Sequence, residues 1–346
     1  MTGVAAPLIP DGRREALESI HRQLTSAEHI VLTTHVNADG DGAGSEAAAA
    51  AWLAARGVRV RIINPTPFPQ PYLHLIEDRA WLLDPASTEG AAALRDADSV
   101  LVLDTGEPKR VGRVGNALAG KTVLVIDHHL PSQGGFDGLV LQDPTACATG
   151  ELVYDLLTVA GLHRPWSARI LESLYTAILT DTGGFRYSNT SPRTHLVAAD
   201  LLAQGVDPEG VYRRVYATVS LSRIQLLRHA LDSLKVDSEL PITWMTIDRK
   251  TMEAVGATAD DLDGIIEHAR SVEGTEVAIL FRETSDGSTK ISLRSSGAVN
   301  VNAVARAFGG GGHEKASGAL IGARMEDARP RVLEAVREAF RASSRG

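Results

Sequence analysis

The chain has 346 residues, 44% of them hydrophobic and 23% charged, enough to build two packed cores and too apolar for a disordered chain. Its only cysteine, Cys147, excludes an internal disulfide framework and a thiolate metal cluster, so any metal ligands are imidazole or carboxylate, and it suits a reducing compartment. A formal charge of -8 excludes the wide basic footprint of a duplex nucleic-acid binder; a short phosphorylated ligand stays compatible through a few local cations.

The N-terminal stretch MTGVAAPLIPDGRREALESI has no charged segment ahead of a sustained apolar run, and the longest such run, 47–55, is too short to span a bilayer. A cytoplasmic protein without a membrane partner is expected. Residues 29–35, 57–64, 99–105 and 122–129 are apolar, β-branched runs that read as strands. Between them lie Ala- and Leu-rich helical stretches, among them 42–56 with Ser45 as its expected cap, and a later helix, 171–180, runs into Asp181. Such alternation predicts βαβ units and a buried parallel sheet with helices on both faces.

Residues 190–234 read as helical. Beyond them the pattern changes to strands at 240–248, 275–283 and 288–296, a helix at 301–308, a glycine run, a strand at 317–323 and a final helix from Met325. The expected organisation is a parallel-sheet domain at 15–190, a helical connector at 191–235 and a smaller α/β domain at 236–343.

Three predicted strands end in acidic or histidine residues: His35 followed by Asp39 and Asp41, then Asp104, then Asp127-His128-His129. Ligands of open parallel sheets bind beyond the carboxyl ends of the strands, so these groups are expected to converge there, with Asp181 arriving from its helix. Paired divalent ions held by imidazole and carboxylate polarise a phosphoryl group and lower the pKa of a water between them. That donor set suits Mn²⁺ or Mg²⁺, with Co²⁺ and Zn²⁺ compatible; manganese is preferred. Aromatic residues make up only 5% of the chain, which argues against an extended stacking platform and for short ligands.

The segment HVNADGDGAGS at 35–45, the strand-end Asp104, Asp127-His128-His129 and Asp181 in TDTGGF together resemble the four motifs of the DHH phosphoesterase superfamily. The segment ISLRSS, which contains Arg294, followed by FGGGGHEKASG at 308–318, resembles the DHHA1 domain of one branch, so the likeness runs from about residue 15 to 340. Nearest in pattern is the group of bifunctional oligoribonucleases and 3′-phosphoadenosine-5′-phosphate (pAp) phosphatases. The resemblance implies one metal on His35, Asp39 and Asp104 and a second on Asp41, Asp104, His128 and Asp181, with Asp104 bridging. It also implies that His129 lies beside the substrate phosphate and that Asp127 orients the histidines. Arg294, Ser295, Gly311, Gly312 and His313 would contact substrate, through an arginine fork on a phosphate and a glycine-rich backbone open to an anion. Short single-stranded RNA, a dinucleotide or pAp is the expected substrate, a closing cleft between domains the expected device, and a homodimer the expected assembly. Alternatives are a cyclic-di-AMP phosphodiesterase, a pyrophosphatase, which Arg294 and the glycine run oppose, and a non-catalytic nucleotide-binding module, which the intact ligand positions oppose. Two departures from the pattern, Ala38 for proline and Gly42 for alanine, carry no ligand atom.

Overall fold

In the computed structural model, which describes residues 7–131 and 134–343, the first apolar runs form a parallel sheet of β1 (His29–Thr33), β2 (Arg59–Ile62), β3 (Ser99–Leu103), β4 (Thr122–Asp127) and β5 (Leu139–Gln142). The strand order is β2-β1-β3-β4-β5. Ile30, Leu32, Leu101, Leu103, Leu124 and Ile126 face one core, shared with α1 (Asp11–Ser26), α2 (Gly40–Ala55), α4 (Thr149–Val159) and α5 (Ala168–Asp181). Val31, Val100, Val102, Val123 and Val125 face the other, covered by Leu94 of α3 (Thr88–Asp96) and by the 3-10 turns at Pro108–Ala117. Both faces are buried, which is why the strands read as unbroken apolar runs. The four predicted strands are present; β5 was missed because it is a short edge strand with Leu139 and Val140 exposed.

Ser45 is not the cap of α2. The helix starts earlier, at Gly40, because the Asp39 carboxylate accepts from the N–H groups of Asp41 at 3.0 Å and Gly42 at 3.2 Å. Ser45 lies inside the helix, buried, and donates to Asp41 Oδ1 at 3.2 Å. A carboxylate already beside two free helix N–H groups outcompetes a hydroxyl one turn further on.

Helices α2 and α5 approach at backbone distance. A Cβ on Gly44 would stand 2.5 Å from the carbonyl oxygen of Ser173, and one on Gly150 of α4 would stand 2.4 Å from Cβ of Ala177. These glycines let the starts of α2 and α4 reach the end of α5, which brings Asp41 to Asp181.

Helices α6 (Pro192–Ala203) and α7 (Pro208–Tyr216) pack on α5, and the first compact unit ends at Thr218. The division therefore falls inside the stretch 191–235, with α8 (Leu221–Asp232) in the second unit. That unit is built on a mixed sheet of β6 (Lys235–Val236), β7 (Ile242–Ile247), β8 (Val277–Glu283), β9 (Thr289–Ser295), β10 (Gly311–Gly312) and β11 (Ala316–Ile321), in the order β10-β11-β9-β8-β7-β6. Only β7 and β8 are parallel neighbours. One face packs on α11 (Val301–Ala307) and α12 (Met325–Ser343); the other packs on α8, α9 (Arg249–Val255) and α10 (Ile265–Arg270). Among the described residues no helix is long and apolar enough to cross a membrane, and residues 1–6 of the N-terminal stretch lie outside them.

The backbone contact at Gly44 has a measurable consequence. Gly44→Val should cost about 1–3 kcal/mol in urea unfolding, as overpacking does. A change within about 0.5 kcal/mol, the scale of a surface substitution, would contradict the close approach of α2 and α5.

Candidate metal centre

Eight predicted side chains meet at the carboxyl edge of the first sheet. His35 follows β1, Asp104 follows β3, and Asp127 closes β4 with His128 and His129 next in the chain; Asp39 and Asp41 start α2, and Asp181 ends α5. The backbone is strained at this edge. Asn37, Asp104 and Phe185 are the non-glycine residues with positive φ among those described, at 57°, 62° and 64°, each in a loop beside the cluster.

Their donor atoms fall into overlapping sets: His35, Asp39 and Asp104; Asp41, His128 and Asp181; Asp104, His128 and His129. Within each set one atom from each residue lies within 4.8 Å of the others. The two oxygens of Asp104 divide between the sets, Oδ2 lying 3.3 Å from His35 Nε2 and Oδ1 3.6 Å from His128 Nε2. His128 Nε2 also lies 3.7 Å from Asp41 Oδ2 and 3.6 Å from Asp181 Oδ2. Nδ1 of His35 is 3.0 Å from the Val36 carbonyl, which can only accept, so the ring carries its proton there and leaves Nε2 with a lone pair. That nitrogen is buried and, among the described residues, has no hydrogen-bond partner.

The electrostatics ask for a cation. Burial, and then the charges of its acidic neighbours, hold the carboxyls of both Asp41 and Asp104 well above the usual range, and the same causes push Asp181 up to about 6. Among the described residues no lysine or arginine lies within 4 Å of the carboxylates of Asp39, Asp41, Asp104 or Asp181. Burial and the neighbouring His129 hold His128 down to about 4, so it is a neutral imidazole with a lone pair to give. An unpartnered imidazole nitrogen among clustered carboxylates fits divalent cations with hard oxygen and nitrogen ligands.

Asp127 is spent differently. Its Oδ1 lies 2.7 Å from Nδ1 of His129 and accepts from the His129 N–H at 3.1 Å, while Oδ2 accepts from Gln142 at 2.6 Å. Burial alone would raise this carboxyl, but the hydrogen bonds from His129 outweigh it and hold it low; the same contact raises His129. The His129 ring is 42% exposed at the mouth of the cluster.

Residues missed in the sequence hold the carboxylates in place. The N-terminus of α4 faces Asp41: the Thr149 N–H donates to Oδ2 at 2.7 Å and the Gly150 N–H to Oδ1 at 2.9 Å, while the Thr149 hydroxyl donates to Asp104 Oδ1 at 3.0 Å. Asn189 donates to Asp181 Oδ2 at 3.2 Å and to the Cys147 carbonyl at 2.8 Å. Behind this turn, buried Arg13 contacts Glu151 at 2.7 Å, Asp155 at 2.8 Å and Asp143 at 2.6 Å, and Glu151 accepts from the Cys147 N–H at 3.1 Å. The one signal available in the sequence was Thr149-Gly150-Glu151 opening an apolar run. Gly42, one of the two departures from the pattern, sits in the first turn of α2, where a Cβ would lie 2.7 Å from Thr34 Oγ1.

The remaining predicted residues belong to the second unit. Arg294, on β9 opposite Ala316, lies 3.3 Å from Glu267 Oε1. Ser295 is buried at the end of that strand. The glycine run is folded into regular backbone pairing, with Gly311 and Gly312 exposed. Gly309 and Gly310 donate their N–H groups to Arg306 and Ala305 and close α11, and Gly311 and Gly312 pair with Gly318 and Ser317 of β11. Close backbone leaves no room for a side chain at two of these positions: a Cβ on Gly310 would stand 2.1 Å from the Gly318 carbonyl and one on Gly312 2.6 Å from that of Ala316. His313 turns the hairpin, its N–H donating to Ala316 at 2.8 Å and its ring exposed.

A parallel sheet with histidines and aspartates gathered at its carboxyl edge, joined to a mixed-sheet unit, is the architecture of a metal-dependent phosphoesterase. The description of the DHH family, N-terminal domain, matches residues 29–178, and that of the DHHA1 domain matches residues 248–342. A bifunctional oligoribonuclease and PAP phosphatase of Thermus thermophilus is 34% identical over 316 residues, covering 89% of this chain and 89% of that protein. One from Bacillus subtilis is 28% identical, covering 64% and 69%. A solved structure, an exopolyphosphatase-related protein from Bacteroides fragilis, superposes with a TM-score of 0.84 at 27% identity, covering 96% of this chain and 98% of that one. The chain belongs to the DHH family, in its DHHA1-bearing branch of bifunctional oligoribonucleases and PAP phosphatases.

If the cluster is short of positive charge, added cations stabilise the fold. Mn²⁺ should raise the melting temperature, a ligand at a hundred times its dissociation constant being worth about 2.7 kcal/mol. Asp104→Asn should leave the metal-free protein at least as stable as the parent and abolish the Mn²⁺ response. Thermal scans with and without Mn²⁺ read both, and an unaltered response in the variant would remove Asp104 from the centre.

Proposed function

We propose that this chain hydrolyses phosphoester bonds of short oligoribonucleotides and of pAp with two divalent metal ions, manganese foremost. What carries the reading is the set of acidic side chains at the sheet edge, without lysine or arginine within 4 Å among the described residues and beside an imidazole nitrogen that has no hydrogen-bond partner among them. Family membership and the names of the relatives support the substrate class.

In this reading His35, Asp39 and Asp104 hold one ion and Asp41, Asp104, His128 and Asp181 hold the other. Bound divalent ions supply Lewis-acid charge for the phosphoryl oxygens and for the attacking water. The chain's own residues do the rest. Thr149 and the N–H groups that open α4 keep Asp41 and Asp104 from rotating, so the ligand oxygens are set before substrate arrives. Asp127 keeps a proton on Nδ1 of His129 and leaves Nε2 to meet a phosphate oxygen. In the second unit, Arg294, Ser295, Gly311, Gly312 and His313 bind the phosphate and base of the terminal nucleotide, Arg294 leaving Glu267 to do so. The net charge and single cysteine support a cytoplasmic enzyme of short single strands rather than duplexes; a homodimer is the assembly that the family resemblance implies.

The test is one panel at fixed Mn²⁺: pAp, a two-nucleotide RNA, cyclic-di-AMP and pyrophosphate. The first two should be hydrolysed best. Asp104→Ala and His128→Ala should each lower kcat/KM by about 10²- to 10³-fold or more, the scale of losing one preorganised electrostatic group. Unchanged hydrolysis in either variant sinks the ligand assignment, while preferred cleavage of cyclic-di-AMP or pyrophosphate replaces the substrate.

A further inference from the structure

We propose that Tyr187, Tyr212 and Tyr216, gathered around the end of α5 that carries Asp181, form a stacking subsite for a nucleobase of the substrate. The inference rests on the function proposed above and adds the surface that would recognise the base.

The loop after Asp181 is built to hold its shape. Gly183, Gly184 and Phe185 are consecutive left-handed residues, with φ of 56°, 71° and 64°. The Phe185 N–H donates to the Thr182 hydroxyl at 3.0 Å, and its ring stacks on His195 with centroids 5.3 Å apart and meets Tyr175 edge-on at 6.1 Å. A strained phenylalanine is kept because its ring is fixed on both sides. The chain then folds back so that Tyr187 covers Gly183, where an added Cβ would lie 2.4 to 2.6 Å from ring carbons of the tyrosine. Only a residue without a side chain fits there, two positions beyond Asp181.

Helix α7 brings the other two rings to the same place. Tyr216 donates its hydroxyl to the carbonyl of Leu179, in the last turn before Asp181, at 3.2 Å. Tyr212 pairs with Tyr216 at 5.3 Å between centroids and 50° between planes. Burial, then the neighbouring Tyr187 hydroxyl, raises the Tyr216 hydroxyl, with Tyr212 and Asp181 acting the same way, so the group is one neighbourhood.

Half of the six tyrosines in the chain thus border one proposed metal ligand, and they are exposed: 59% for Tyr187, 53% for Tyr212 and 39% for Tyr216. Exposed rings, one following a strained, buttressed loop and two on α7, are not core residues. Continuity with the metal centre identifies their occupant as part of the ligand that reaches Asp181. A nucleobase has two flat apolar faces and a polar edge, which match ring faces and hydroxyls. Arg186 adds charge complementarity: it donates to the Gly183 carbonyl at 2.6 Å and, among the described residues, has no acidic partner within 4 Å, which leaves a cation for the adjoining phosphate. The low aromatic content excludes a long platform and leaves room for one local stack.

The test is calorimetric binding of a two-nucleotide RNA and of its counterpart lacking the base next to the scissile phosphate, in Ca²⁺ to suppress turnover. Tyr187→Ala and Tyr212→Ala should each weaken the RNA by about 5- to 150-fold, the effect of losing a stacked base, and leave the abasic ligand unaffected. Tyr187→Phe, which keeps the ring, should bind as the parent does. The proposal is overturned if the parent binds both ligands equally, if the alanine variants bind the RNA like the parent, or if they lose both ligands alike. Turnover in Mn²⁺ separates the two readings. A parent protein that prefers the base-containing ligand but hydrolyses neither keeps the stack and loses the proposed function.

Discussion

Buried carboxylates that have no lysine or arginine partner among the described residues set the terms for the first unit. Asp41 and Asp104 lie within reach of one another and of Asp181 and Asp39, and an arrangement of this kind persists only if something other than a side-chain cation stabilises it. Part of that stabilisation comes from the backbone: the opening N–H groups of α4 point at Asp41, and the Thr149 hydroxyl at Asp104. The remainder is the charge of divalent ions in the reading proposed here. The glycine contacts between α2, α4 and α5 follow from the same demand, since they set how close the helix ends come.

Positive charge is kept away by being used elsewhere. Arg13 and Arg193 are drawn to Glu151 and Asp155, on α4 beyond the turn that holds Asp41, and there the ion pairs are complete. Glu151 ties that network to the centre through the Cys147 N–H. A buried salt-bridge cluster contributes little net stability by itself. Here it fixes the turn 147–150, whose amides orient a ligand oxygen. On another side, Asn64 accepts from the Thr34 N–H at 3.1 Å and donates to Glu46 at 2.8 Å, pinning the chain just before His35; burial pushes the Glu46 carboxyl up to about 8.

The histidines divide their work by environment. His128, partly buried beside a second imidazole, stays neutral with a lone pair to give, whereas His129, half exposed and bonded to Asp127, is the more basic of the two. Adjacent residues of one type thus take different roles through a single carboxylate, and Gln142 of the edge strand β5 holds that carboxylate from the other side.

Much of this was legible in the chain itself. Apolar β-branched runs that end in His or Asp mark parallel strands with a site beyond them, because both sheet faces are covered and only the carboxyl edge is open to a ligand. The second unit's strands were equally plain. What the sequence could not specify was whatever depends on residues far apart in it, such as Thr149 meeting Asp104 across 45 positions and Arg13 meeting Glu151 across 138. The tyrosines belong with these, scattered along the chain and adjacent only because Gly183 admits a ring against its α-carbon and α7 returns over α5. Periodicity and side-chain chemistry are local properties, so the sequence alone determined the strands and named the ligand candidates. Hydrogen-bond partners and backbone approach are set by packing, so only the tertiary structure decided which groups orient those ligands and what surface borders them.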